Sequence, residues 1–72
     1  AGLFLRPGLG QVRRAGTPLR AEAREDATTV QTLVAGQMLV LVALSPDRAW
    51  WQIAEPAAGW VESQDLELLE WE

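Results

Sequence analysis

Side chains alternate with a period of two along one stretch in the second half of the chain. In Ala49-Trp50-Trp51-Gln52-Ile53-Ala54, Trp51 and Ile53 interleave with Trp50, Gln52 and Ala54, the spacing that sends alternate side chains to opposite faces of a strand. Glu55-Pro56-Ala57-Ala58 follows, then Gly59-Trp60-Val61-Glu62, so that three of the four tryptophans lie within fourteen residues. The short connection predicts a β-hairpin, Pro56 fixing φ early in the loop and Gly59 giving the chain freedom at its end. Ile53 is the residue a core would take, which places Trp51 inward beside it and turns Trp50 and Gln52 outward. Trp51 and Trp60 are expected to pack in the core or in the barrel wall, because side chains of this size dominate burial in a small domain.

The remaining pattern is also that of short strands. Residues 38–44, Met-Leu-Val-Leu-Val-Ala-Leu, are almost continuously apolar and predict a central strand with both faces largely covered. Residues 30–33 read as a short strand or strand-like return, residues 35–37 as a turn, and residues 45–48 as the turn into the tryptophan hairpin. Residues 22–29 contain good helix formers, but the run is two turns long, has no apolar stripe and ends in β-prone Thr28-Thr29-Val30, so a loop is expected. Ser63-Gln64-Asp65-Leu66 has the look of one 3₁₀ turn, and residues 67–70 of a last strand. Near the start, residues 11–15 can form a strand, and Gly16-Thr17-Pro18 turns the chain. Residues 1–10 combine Leu3-Phe4-Leu5 with Pro7, Gly8 and Gly10, which predicts a linker or an added N-terminal edge segment. Five short strands over residues 11–72 predict an all-β domain, a closed or nearly closed small barrel.

Composition narrows the chemistry. Seventy-two residues without Cys or His offer no disulfide, no thiolate metal site and no imidazole for acid–base work. The carboxylates show no spacing with a nucleophile, a phosphate loop or a metal-ligand set, so no enzyme activity, metal or cofactor is expected. Glu22, Glu25 and Asp26 have oxygen ligands to offer a Ca²⁺ ion but lack EF-hand spacing; a solvated loop is the simpler reading. The longest apolar run is far below the roughly 20 residues needed to cross a bilayer, so no membrane insertion is expected. Net charge is -4, which disfavours nucleic acid as a partner. The charge is uneven: residues 1–20 carry Arg6, Arg13, Arg14 and Arg20 and no acid, whereas residues 55–72 carry six acids and no base. Pairing of the two ends with each other as neighbouring strands accounts for this; a basic arm for an anionic surface is the other reading. The absence of an initiator Met is read as a mature or excised product, which leaves localisation open.

Taken in order, Leu19-Arg20-Ala21-Glu22-Ala23-Arg24-Glu25-Asp26, Leu33-Val34-Ala35-Gly36-Gln37 before an apolar strand, Trp50-Trp51-Gln52-Ile53 and Gly59-Trp60-Val61-Glu62-Ser63 resemble an SH3 domain, most closely the bacterial SH3-like (SH3b) type. The resemblance covers about residues 11–70. It implies a five-stranded SH3-like barrel with a short 3₁₀ turn before the last strand, and first and last strands that are adjacent, with Arg13 and Arg14 near Glu67 and Glu70. The loop after Leu19 is shorter than the bacterial pattern and lacks its Gly-Pro pair, and residues 1–10 have no counterpart.

By position in that pattern Trp50 looks like the groove tryptophan of eukaryotic SH3 domains, and Glu22, Glu25 and Asp26 like the acids that take a ligand Arg. The groove's other aromatics are missing, since Leu19, Ala21 and Asp65 fall where tyrosines would be and Glu62 where a proline would be. A reader of PxxP ligands is therefore not expected. The resemblance implies a non-catalytic binding module of a larger bacterial, envelope-associated protein, with a peptide, a cell-wall component or a neighbouring protein domain as partner. Its ligand set would be Trp50, Glu22, Glu25, Asp26, Gln52 and Glu62, an outward indole bordered by acids that suits a cationic or peptide ligand. Capping of Trp50 by Phe4 or Leu5 is the competing arrangement, and a structural domain that packs only within its parent chain is the competing function. A nucleic-acid-binding barrel of the KOW or Tudor sort is a third class, opposed by the acidic balance.

Overall fold

The computed structural model describes the backbone of residues 4–71 and the side chains of residues 8–70. The elements are all β apart from one 3₁₀ turn: β1 (Phe4–Val12), β2 (Thr17–Arg20), β3 (Thr29–Leu33), β4 (Met38–Leu44), β5 (Trp50–Glu55), β6 (Gly59–Glu62), the 3₁₀ turn Ser63–Asp65, and β7 (Leu66–Trp71). Every pairing is antiparallel. The strand order is β3-β2-β6-β5-β4-β1-β7, one open sheet with β3 and β7 at its edges. Seven strands stand where five were predicted. The ends of the loop at residues 21–28 pair with each other as β2 and β3, and the first strand begins well before residue 11. Residues 22–28 form a loop, as their lack of an apolar stripe predicts.

Residues 4–10, read as a linker or edge segment, belong to β1, which lies between β4 and β7. Gly10 does not break this strand, because the interior demands its small size. A Cβ at Gly10 would meet Leu66 Cδ1 at 3.3 Å and Leu41 Cδ1 at 3.4 Å, tighter than ordinary packing.

The nine buried side chains that form the core come from all seven strands: Val12, Leu19, Leu33, Leu39, Leu41, Trp51, Ile53, Val61 and Leu66. The sheet curls to bring them together. Backbone bonds from Gly36 N to Val12 O (2.8 Å) and Val12 N to Gln37 O (2.9 Å) tie the turn after β3 to the end of β1, and Gly16 N to Leu33 O (3.0 Å) continues the β2–β3 pairing. Gly36 makes its turn at φ 84°, a conformation that glycine adopts without a Cβ clash.

β4 corrects one expectation. Leu39, Leu41 and Ala43 are fully buried, but Met38 and Val40 are 49% and 37% exposed, so the strand is covered on one face over its first half. Its register against β5 shifts between Leu41 and Ala43, giving Leu41↔Ile53, Ala43↔Gln52 and Leu44↔Trp51. One extra residue on β4 therefore lets both Leu41 and Leu44 face the core, which strict alternation would forbid.

The first and last strands pair as expected, with Val12↔Leu66 and Gln11↔Glu67, but the arginines meet a different acid. Arg14 bridges Asp65 at 2.8 Å, and Arg13 N donates to Asp65 O at 2.9 Å. Glu67 and Glu70 lie opposite Gln11 and Leu9 instead, because β1 ends at Val12 and the two arginines run past the end of β7.

Candidate functional site

Period-two alternation assigns the faces of the β5–β6 hairpin. Its register is Trp50↔Glu62, Trp51↔Val61, Gln52↔Trp60 and Ile53↔Gly59, and directly opposed residues share a face. Trp51, Ile53 and Val61 belong to the core. Trp50, Gln52, Trp60 and Glu62 therefore lie on the outer face. β2 extends this face, since Arg20 pairs with Trp60, and one row of partners runs Ala43, Gln52, Trp60, Arg20, Thr29 across five strands.

The sequence placed Trp50 on the outer side correctly and its exposure wrongly, for Trp50 is only 8% exposed. The start of β5 is enclosed by the turn before it. Trp50 N donates to the Ser45 hydroxyl at 3.1 Å, and Ser45 N donates to Trp50 O at 2.9 Å. Ser63 of the 3₁₀ turn closes from the other side: its N donates to Ala49 O at 2.9 Å and its hydroxyl to Arg48 O at 2.7 Å. The alternative that Phe4 or Leu5 caps Trp50 concerns side chains outside the described residues.

Trp60 is the accessible indole of this face. It is half-buried and outside the core, so of the two expected placements, core or barrel wall, it does not take the core. The signal was present in the sequence: Val61 must face inward to meet Trp51 and Ile53, which turns Trp60 and Glu62 outward by the same rule that was applied to β5. Arg20 was likewise missed, although its neighbour Leu19 is the core residue of that strand. Gly59 permits β2 to approach. A Cβ there would lie 2.7 Å from Leu19 Cδ1 and 2.8 Å from Arg20 O, so this glycine serves space rather than conformational freedom in the turn.

The β2–β3 loop leaves the sheet at Arg20 and carries Glu22, Glu25 and Asp26, all exposed. Arg20 orders the loop's return by donating to Ala27 O (3.1 Å) and Thr29 Oγ1 (2.8 Å). Ala21 N donates to Thr28 O at 2.9 Å, and Ala27 is buried beneath the loop. Arg24 stands between two of the acids, 3.3 Å from Glu22 and 3.8 Å from Asp26, leaving Glu25 as the acid with no cation beside it in the described residues. No three acidic groups among the described residues converge closely enough to hold a metal ion. Of the six predicted ligand residues, Gln52, Glu62 and Trp50 share one face of β5–β6, and the three acids stand on the adjoining loop. The accessible aromatic that joins these two groups is Trp60.

The turn beside Trp50 owes its shape to Asp47. Its carboxylate accepts from the Ser45 hydroxyl and, at 3.0 Å, from Ala49 N. These two bonds, the first the larger, hold the Asp47 pKa below the ordinary aspartate value. Asp65 is the one buried acid in the described residues, its Oδ1 taken by Arg14 and its Oδ2 without a partner.

No family profile, curated protein or solved structure matches the chain.

Proposed function

We propose that the chain is a non-catalytic, SH3-like binding module that takes a peptide or cell-wall ligand on the outer face of β5, β6 and β2. The fold reading is supported by the pairing of first and last strands, the β4–β5–β6 meander, the long loop between β2 and β3 and the 3₁₀ turn before β7. The observation that carries the function is the half-buried indole of Trp60, set between Gln52 and Arg20 in one row. An apolar ring with polar neighbours on both sides offers stacking area and directional hydrogen bonds together, the combination that shallow recognition sites use. Glu62 on the same face and Glu25 on the loop add negative charge, which favours a ligand bearing an amine or guanidinium.

Trp50 leaves the ligand set and becomes the floor of the hairpin. Gln52, Glu62, Glu22, Glu25 and Asp26 remain, joined by Trp60 and Arg20. Co-sedimentation with insoluble peptidoglycan tests this directly. Wild type is retained, and Trp60→Ala loses about tenfold or more in affinity, equivalent to about 1.4 kcal/mol, with its folding intact. Equal retention of both proteins, or of neither, contradicts the reading.

A further inference from the structure

A second surface lies on the other wing of the sheet, where β4, β1 and β7 run side by side. The register there sets out one row across four strands: Glu55 opposite Val40, Val40 opposite Leu9, and Leu9 opposite Glu70. In the adjacent row Met38 and Glu67 both pair with Gln11. These residues face away from the core, since their neighbours Leu39, Leu41, Gly10, Val12 and Leu66 are buried. Met38 is 49% and Val40 37% exposed, Leu9 is half-buried, and Glu55, Glu67 and Glu70 are exposed. The face is therefore an apolar strip with an acid at each end of its main row and a third acid beside it. No basic residue occurs at any of these register positions.

We infer that this face docks a cationic segment of a partner protein, with apolar side chains between basic ones. The charge pattern selects the occupant. A second copy laid face to face would bring six carboxylates into one interface around a small apolar strip, and like charges so placed oppose association. An anionic lipid surface is repelled by the same groups. A basic segment satisfies all three acids while covering Met38 and Val40. Adjacent strands are about 4.8 Å apart, so Glu55 and Glu70, three strands from one another, are separated by about 14 Å across the sheet. In an extended segment that is about four residues, and residues two apart share a side. The complementary pattern is thus basic-x-apolar-x-basic, lying across the strands.

The probe is a synthetic peptide, acetyl-Lys-Ser-Leu-Ser-Lys-Ser-Leu-Ser-Lys-amide, titrated into the ¹⁵N-labelled full chain and followed by amide shift changes. The expected shifts cluster at Leu9, Met38, Val40, Glu67 and Glu70. Glu67→Lys/Glu70→Lys weakens binding by about tenfold or more, as does Met38→Ser/Val40→Thr. Ala23→Lys/Thr28→Lys, at exposed loop positions on the opposite wing that lie outside the proposed ligand set, also raises the net charge and stays within about twofold of wild type. Three results overturn the inference: shifts centred on Trp60 or spread over the molecule, equal weakening by the loop variant, or no saturable binding by wild type. The wild-type map decides the matter even should a variant fold poorly. A dimer of the free chain in sedimentation equilibrium also overturns it.

Discussion

Trp50 is 8% exposed at the point where the β4–β5 turn and the 3₁₀ turn close on the start of β5. Its replacement by Ala removes a buried indole from a region whose backbone bonds prevent collapse. The expected cost is about 3–5 kcal/mol, read as a shift in the urea midpoint at constant slope. A loss under about 1 kcal/mol would return Trp50 to the ligand face. Asp47 gives the same turn a pH dependence. Its pKa is lowered on folding, chiefly by the Ser45 hydroxyl and then by Ala49 N–H, so the unfolded chain binds the proton more readily. Its contribution is therefore fully present above the unfolded-state pKa and is lost as pH falls through the lower folded-state value. Asp47→Asn keeps an oxygen for these donors but removes the titration. Thermal unfolding followed through the acid range should show a shallower decline for the variant; parallel curves would contradict this role.

At the scale of the elements, β2 reaches the hairpin only because residue 59 has no side chain. Gly59→Ala places a methyl within 2.8 Å of the Arg20 carbonyl, and backbone cannot yield as a flexible side chain can. A destabilisation of about 1–3 kcal/mol is expected from such overpacking, together with a weakened Arg20↔Trp60 junction, visible as loss of protection at those amides in hydrogen exchange. Wild-type protection would show that β2 and β6 tolerate separation. The elements most legible in the sequence were those with strong alternation or an unbroken apolar run: β5, β6 and β4 stand where the pattern placed them. The 3₁₀ turn was legible too. β1 was not, because Pro7, Gly8 and Gly10 argue locally against a strand while the space beside Leu41 and Leu66 requires a small residue at position 10. The exposure of Met38 and Val40 was hidden for the opposite reason, since an apolar run gives no indication of which face lies open.

Across the whole molecule, the curled sheet presents two outward wings of different chemistry, one built on the β5–β6–β2 junction and one on β4–β1–β7. Half of the first was legible. The outer side of β5 followed from Ile53, and the loop acids from their polar run, but the exposed indole was assigned to the wrong strand. Burial of Trp50 accompanies a turn hydrogen-bonded to the start of its strand, which no periodicity records, whereas the outward placement of Trp60 follows from alternation once Val61 is placed in the core. The measurement that tests the account most directly is an NMR titration of the ¹⁵N-labelled chain with soluble muropeptides, following the four indole N–H resonances and the backbone amides together. The account predicts saturable shifts of the Trp60 indole and of the Arg20, Gln52 and Glu62 amides, with the Trp51 indole unmoved. Saturation with the largest shifts elsewhere and Trp60 unmoved, or no shifts at all, would contradict it.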